Sequence, residues 1–404
     1  MATPRRLMLT VDEALVRLLA EVRRVPVEQV GIAAAVGRVL AEDLAARVTK
    51  PPSAVSAMDG YAVRAADVAA VPATLRVVSE LPAGVRDSGR IGPGEAARIF
   101  TGAPLPEGAD AIVIQEDTTA DGDRVTVSES AATGRYVRKA GLDFTAGDVA
   151  LRAGQLMAPR HVALAAAMNR PWIKVRRRPQ VAVLSTGDEI VSPGDPIGPN
   201  QIVSSNALAL AAFVTAEGGV PVDLGVVQDD AASLHRMAAE VRGVDLLVTT
   251  GGASVGKHDL VQSALGEVGL EVDFWQIAVR PGKPLIHGRI AGIPMLGLPG
   301  NPVSSLVCAL LFLRPLLRAM VGLPAGRQET EAARLGAPLA DNDRREDYLR
   351  ARLTRAEDGS LVATPFPVQD SSMIAVLAHA DALIVRAPHA PASPAGTRVE
   401  ILRL

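Results

Sequence analysis

The sequence predicts a multidomain α/β protein whose centre is an open, mostly parallel sheet with helices on both faces. Two observations carry this. From Val181 to the helix that begins at Pro302, strand-like and helix-like segments alternate, the pattern of parallel strands joined by helical crossovers. On either side the pattern changes to short strands cut by turn residues, which calls for separate small β domains.

The chain has 404 residues, room for two to four domains at roughly 150 residues each. Apolar residues make up 48% and aromatics only 3%, so the cores are built from Val, Leu, Ile and Ala. A formal net charge of -2 favours neither nucleic acid nor an anionic membrane. Cys308 is the only cysteine, which excludes an intrachain disulfide and fits a reducing compartment. Asp12 and Glu13 interrupt the N-terminus before any signal-like apolar stretch. The longest apolar run, Leu306 to Leu313, falls short of the ~20 residues that span a bilayer and is cut by Arg314-Pro315. These features predict a cytoplasmic protein with no membrane and no nucleic-acid partner. Arg176-Arg177-Arg178 reads as a solvated linker.

Thr10-Val11-Asp12-Glu13 is a capping box, and Ala14, Leu15, Leu18, Leu19 and Val22 continue it as an amphipathic helix. Lys50-Pro51-Pro52-Ser53 marks a boundary. Beyond it, short strands such as Thr74 to Val78, Ala111 to Ile114 and Arg124 to Val127 predict a small inserted β domain. Val181 to Leu184 is apolar throughout, as a strand buried on both faces must be. A helix from about Asn206 to Glu217, a strand over Val222 to Val227, a helix over Ala231 to Val241 and a strand over Asp245 to Thr249 follow. A helix from about Asp259 to Val268, a strand from Pro294 to Leu298 and the Pro302 helix complete the domain. After Gly322-Leu323-Pro324-Ala325-Gly326, the strands Leu361 to Thr364, Ala382 to Arg386 and Arg398 to Leu402 predict a small β-barrel or sandwich.

In an open α/β sheet, ligands bind where strands end and helices begin. Three such junctions are polar or glycine-rich: Ser185-Thr186-Gly187-Asp188-Glu189, Thr250-Gly251-Gly252-Ala253-Ser254-Val255-Gly256, and Pro299-Gly300-Asn301-Pro302-Val303-Ser304. The glycines of the second allow close backbone approach, suited to a phosphate. Asn301 suits a helix cap and Pro302 a first helical turn. Glu189, Asp229, Asp230 and Asp259 lie near strand ends, where carboxylates suit Mg²⁺ bridging to phosphate. Asp230 also suits a helix cap. Arg280-Pro281-Gly282-Lys283-Pro284 sets two cations on a loop stiffened by two prolines, a receptor for an oxyanion. Acids and cations together point to phosphate or oxyanion transfer. Gly251 to Lys257 also fits the first seven positions of a nucleotide-binding P-loop, but His258 stands where a magnesium-binding hydroxyl is required.

Six strings, in order, resemble the MoeA and gephyrin E-domain family, the molybdopterin molybdotransferases. They are Ser56-Ala57-Met58-Asp59-Gly60-Tyr61-Ala62, Phe100-Thr101-Gly102-Ala103-Pro104-Leu105-Pro106, the first two junctions above, Pro281-Gly282-Lys283-Pro284, and Leu298-Pro299-Gly300-Asn301-Pro302. The resemblance implies an elongated helical domain (1–50 and 138–177) interrupted by a β domain (51–137). A molybdopterin-adenylyltransferase-like α/β domain (178–326) and a C-terminal β-barrel-like domain (327–404) follow. It implies a homodimer that transfers molybdenum from molybdate to adenylylated molybdopterin with Mg²⁺, releasing AMP. Transient contact with the adenylyltransferase and with recipient molybdoenzymes is implied too.

By position, the resemblance assigns catalysis to Asp59, Thr101, Asp143, Glu189, Asp229 and Asp259, the last three also as metal ligands. It assigns substrate binding to Ser185, Thr186, Gly251, Gly252, Ser254, Gly256, Arg280, Lys283, Pro299, Asn301, Pro302, Ser304, Arg345, Arg350 and Ser371. Three residues depart from the family: Gln276 and Arg280 stand where lysine is common, and Asp370 precedes Ser371 where glycine is usual. The competing readings are a non-catalytic scaffold of the same fold and a P-loop-like NTPase.

Overall fold

The chain opens with helix α1 (Val11–Ala20), and its capping box forms as the sequence predicts: the Thr10 hydroxyl accepts from the Glu13 amide at 3.2 Å, and the Thr10 amide donates to the Glu13 carboxylate at 2.8 Å. The structure, a computed structural model, describes residues 8–84, 88–187, 189–227, 243–251 and 270–404. They divide into two compact units, Gln29–Val175 on one hand and Met1–Glu28 with Arg176–Leu404 on the other. Helix α1 therefore groups with the α/β part of the chain rather than with residues 29–50. The reason is its buried face: Leu15 and Leu18 join one core with Leu316, Leu317 and Met320.

The 29–175 unit holds one long sheet and one smaller core. Where extended helical structure was expected, it contains helix α2 (Pro159–Ala167) and short antiparallel pairs, Leu44–Ala45 with Val149–Leu151 and Val55–Ser56 with Val137–Arg138. Leu40, Phe144, Leu151, Met157 and Met168 pack beneath them. The inserted domain is a six-stranded sheet of β1 (Gly60–Val63), β2 (Ala73–Leu81), β3 (Glu95–Ile99), β4 (Ala111–Ile114), β5 (Thr118–Asp121) and β6 (Arg124–Val127), in the order β4-β1-β3-β2-β6-β5. Gly60 is required there, because a Cβ would lie 2.0 Å from the Val113 carbonyl across the strands.

The second unit is built on β7 (Gln180–Thr186), β8 (Val220–Val227), β9 (Leu246–Thr250), β10 (Leu270–Gln276), β11 (Val279–Arg280), β12 (Pro284–Ile290) and β13 (Ile293–Leu298). The sheet order is β8-β7-β9-β13-β12-β10. The first four strands are parallel, and the hairpin strands β12 and β10 extend the sheet antiparallel. Alternate residues face opposite cores: Val181, Val183, Leu246 and Val248 one way, Ala182, Leu184 and Leu247 the other. Both sets are buried, which is why the sequence is apolar throughout rather than alternating. Helix α3 (Asn206–Ala216) covers the first face through Ala207, Leu210 and Val214. The helices expected at Ala231 to Val241 and Asp259 to Val268 lie outside the described residues.

Helix α4 (Pro302–Val321) fills this core and corrects two expectations. It runs on through Arg314-Pro315, because the chain widens into a π-helical turn over Ala309–Leu313 just before the proline. A wider turn relieves the clash between a proline ring and the carbonyl one turn earlier. The helix is thus 20 residues long and apolar enough to cross a membrane, but 78% of its most apolar window is buried inside the chain's own fold. The basic run at Arg176–Arg178 is likewise no solvated linker. Arg177 grips the Asp245 carboxylate with contacts of 2.8 and 2.9 Å, and Arg176 donates to the Val25 carbonyl.

The C-terminal strands β14 (Glu331–Leu335), β15 (Glu346–Arg355), β16 (Leu361–Pro365), β17 (Ala382–Arg386) and β18 (Arg398–Arg403) close into a barrel, β15-β16-β14-β18-β17 and back to β15. The short strand β11 leaves the α/β sheet to pair with β15, Val279 opposite Glu346 and Arg280 opposite Asp347. Next to this joint, Arg327 forks onto buried Glu346 at 2.7 and 2.8 Å and reaches Asp12 at 2.8 Å. Tyr348 donates to the same Glu346 carboxylate, and burial pushes its phenol well above the usual range.

Gly282 follows the joint with φ +124, and a Cβ there would lie 2.3 Å from the Cys308 sulfur. We expect Gly282→Ala to cost about 1–3 kcal/mol in urea unfolding, as overpacked core sites do, and Cys308→Ala to restore part of the loss. Complete burial pushes the Cys308 thiol above its usual pKa. The native thiol should therefore resist Ellman's reagent and react only as the domain unfolds.

Candidate functional site

The parallel strands end level with one another. Ser185 on β7 faces Thr250 on β9, which faces Leu298 on β13. The loops that leave these ends touch backbone to backbone. Gly251 has φ +98, and a Cβ on it would meet the Thr186 carbonyl at 2.1 Å; one on Gly300 would sit 3.5 Å from the Gly251 Cα. Packing alone thus demands the first glycine of the P-loop-like string; Gly252, Ser254, Gly256, Lys257 and His258 lie outside the described residues.

Between the loops opens a cleft of about 690 Å³, the size of a site for a cofactor-sized molecule. Ser185, Thr186 and Glu189 line it from the first junction and Gly251 from the second. Pro299, Asn301, Pro302 and Ser304 line it from the third. Among the described lining residues Glu189 is the only charged one. Its carboxylate folds back over Gly187, where a Cβ would come within 2.9 Å of it. Asp229 and Asp259, expected to join Glu189 around a metal, lie outside the described residues. Of the three acids, only Glu189 is thus placed at the cleft, and no group of three or more His, Cys, Asp or Glu that could hold a metal ion occurs among the described residues.

One residue that the sequence reading took only as a helix start organises the cleft floor. The Asn206 amide donates to the Thr250 hydroxyl at 2.8 Å and to the Gly300 carbonyl at 2.7 Å, and the Thr250 hydroxyl donates onward to the Pro299 carbonyl at 3.3 Å. An amide has two donors, so Asn is the natural residue to bridge two loops. Its only sequence signal was its place at the head of a helix facing two polar junctions.

Asn301 sits at the N-cap of α4, but its side chain does not cap; it donates to the Ser371 hydroxyl at 2.9 Å. The Val303 amide donates to the Ser371 carbonyl at 3.1 Å. Ser371 thereby ties a barrel loop to the cleft mouth, and Ser372 and Ile374 of that loop line the cleft.

The cations expected at the oxyanion end fall into three states. Arg280 forks onto Asp347, which is 3% exposed, and adds bonds to Asn342 at 3.0 Å and Asp343 at 3.4 Å. Arg345 clasps Asp343 too, closest at 2.7 Å, and chiefly through that bond holds its carboxyl down to about 2. These two guanidinium charges are compensated by barrel acids. Lys283 is half-buried beside the cleft residue Pro284 and has no ion pair among the described residues. Arg350 is the exception. It is 1% exposed, and none of its three side-chain nitrogens has a hydrogen-bond partner among the described residues. Burial pushes this guanidinium below its usual pKa, with Asp370 pulling the other way.

In the other unit, the Asp59 carboxylate accepts from the Thr101 amide at 2.7 Å and from its hydroxyl at 2.8 Å. These bonds, the amide's first, lower its pKa. The Ser56 hydroxyl donates to the Met58 carbonyl at 2.6 Å, so the motif is a tight turn that presents Asp59. Asp143 pairs with Lys50 at 3.3 Å, both side chains half-exposed.

The chain matches three family descriptions in succession: MoeA N-terminal region (domain I and II) over residues 9–169, probable molybdopterin binding domain over 182–319, and MoeA C-terminal region (domain IV) over 332–404. It is 37% identical to molybdopterin molybdenumtransferase 2 of Mycobacterium tuberculosis over 400 residues, covering 95% of this chain and 97% of that one. It is 38% identical to the Nostoc molybdopterin molybdenumtransferase over 331 residues, covering 80% and 76%. A crystal structure of a molybdopterin biosynthesis MoeA protein from a Pyrococcus species superposes with a TM-score of 0.85 at 33% identity, covering 98% and 99%.

Asn206→Ala should leave the Thr250 hydroxyl and Gly300 carbonyl without their donor. We expect about 1–3 kcal/mol of lost stability in denaturant unfolding and faster amide exchange in the 298–301 loop. Asn206→Asp, which cannot donate twice, should not rescue either.

Proposed function

Because the chain belongs to the MoeA family of molybdopterin molybdenumtransferases, transferases of molybdenum cofactor biosynthesis, we propose that it inserts molybdenum from molybdate into adenylylated molybdopterin, with Mg²⁺, and releases AMP. The observation that carries the reading is Arg350. A buried guanidinium with no hydrogen-bond partner among the described residues is costly, and an oxyanion at that position would satisfy it. Molybdate is a tetrahedral dianion whose oxygens match the planar donors of arginine.

The glycine-rich strand ends support a phosphate-bearing ligand, since backbone N–H groups exposed by glycines suit an anion. Glu189, with Asp229 and Asp259, would hold Mg²⁺, which supplies Lewis-acid stabilisation of the charge on the departing phosphate. Arg350 and Lys283 would hold molybdate near the dithiolene. Ser185, Thr186 and the 299–304 loop would fix the nucleotide end and exclude water. Asp59, oriented by Thr101, and Asp143 would be catalytic residues of the 29–175 unit. Arg280 and Arg345 would act through the loops that they fasten. We further propose a homodimer, a cytosolic site of action, delivery of substrate by a molybdopterin adenylyltransferase and transfer of product to recipient molybdoenzymes.

The test is AMP release from adenylylated molybdopterin with Mg²⁺, with and without molybdate. Wild type should release AMP in a molybdate-dependent way. Glu189→Gln and Asp259→Ala should reduce kcat by about 10²-fold or more, and Arg350→Gln should chiefly raise the KM for molybdate. Release that ignores molybdate, or none from folded protein, would sink the proposal. Sedimentation equilibrium is expected to give twice the mass of one chain, 42.0 kDa; a monomer at micromolar concentration would refute the dimer.

A further inference from the structure

We propose that Asp370 determines the strength and charge selectivity of the oxyanion subsite: it is the counter-charge to buried Arg350, kept off the guanidinium by Ser372. The inference rests on the reading of Arg350 as the oxyanion's ligand.

Asp370 is held close to Arg350 by the chain itself. The preceding residue, Gln369, grips the Arg350 backbone in both directions: its amide donates to the Arg350 carbonyl, and its carbonyl oxygen accepts from the Arg350 amide, each at 3.0 Å. A carboxylate one residue further on would ordinarily close onto a buried, partnerless arginine. It does not. It accepts from the Ser372 amide at 2.8 Å and from the Ser372 hydroxyl at 2.6 Å, a turn that fixes its carboxylate. All three Arg350 nitrogens are left without a hydrogen bond among the described residues. The two groups still feel each other. Ser372 chiefly lowers the Asp370 pKa, with Arg350 adding to it, and Asp370 favours the charged form of Arg350 against burial.

The arrangement leaves the donors of Arg350 without a hydrogen bond among the described residues while lowering the positive potential around them. Ser372 is also a cleft-lining residue, so the turn borders the cleft. Repulsion from one fixed charge scales with the charge of the anion. A dianion is therefore penalised twice as much, in free energy, as a monoanion of the same shape. Asp370 thus sets both how tightly the site holds a tetrahedral oxyanion and how well it separates dianions from monoanions.

The test is calorimetric binding of molybdate, a dianion, and perrhenate, a tetrahedral monoanion, to the full chain without pterin. Asn at 370 keeps both Ser372 bonds, so Asp370→Asn should leave the fold intact, with at most a small fall in melting temperature from the lost counter-charge to Arg350. It should tighten perrhenate about threefold and molybdate about tenfold, the same interaction doubled in energy, in the range of a partly exposed charge acting on a buried one. Ser372→Ala should weaken molybdate several-fold by freeing Asp370 to pair with Arg350, and should have no effect in the Asp370→Asn background. Equal changes for the two anions, or none on Asp370→Asn, would overturn the proposal. So would an unchanged Ser372→Ala effect in the double variant. If wild type binds neither anion, or Arg350→Gln binds as wild type does, the reading beneath it fails instead.

Discussion

The active end of the α/β domain depends on a contact between backbones. Parallel strands bring the Thr186 carbonyl, Gly251 and Gly300 so close that a Cβ on Gly251 would collide with Thr186. That contact gives the cleft its rigid floor, and the Asn206 amide then pins two of the three loops with one side chain. Apart from Ser372 and Ile374, the described residues that line the cleft are borne on the strand ends, the helix starts and the short loops of a sheet that is buried on both faces. Precision at the cleft thus comes from the sheet, and the loops inherit it.

A second constraint is electrostatic. The arginines of the joint and the barrel differ in whether an acid holds them. Arg280 and Arg327 are bound to Asp347 and Glu346, the residues of β15 that pair with β11. Arg280 fastens the barrel to the loop that carries Lys283, and Arg327 joins Glu346 to Asp12 of α1. A buried ion pair contributes little net stability, but losing one partner strands the other, so such pairs specify an arrangement more than they strengthen it. Arg350 lies on the same strand β15 and has no such partner among the described residues. Its difference from Arg280 and Arg345 is one of surroundings, not of residue type.

That difference marks where the sequence could be read and where it could not. Periodicity and turn residues located the strands Ala111–Ile114, Arg124–Val127 and Ala382–Arg386 to the residue, and the capping box before α1. The three glycine-rich junctions proved to share one sheet edge because parallel topology places every strand-to-helix turn there. Local pattern could not tell that α1 packs with the distant Leu316 and Leu317, nor that Arg314-Pro315 would be absorbed by a π turn. Nor could it show which cations are neutralised, because Asp347 and Asn342 lie more than sixty positions from Arg280. Asn301 looked like a cap and serves as a brace to Ser371 for the same reason.

The burial of α4 has a consequence for the life of the chain before and after folding. With a mean hydropathy of 1.7 over its most apolar window, Pro302–Val321 is acceptable to a bilayer by length and composition alone. Only the sheet and α1 packed around it give it a different fate. While the chain is being made, or whenever this domain opens, that segment is what a chaperone or a translocation channel meets first. Helix α1 emerges from the ribosome long before α4 does, so half of the apolar cradle is waiting when the helix arrives. The order of synthesis and the order of burial agree, and the segment most prone to mistargeting need spend little time exposed.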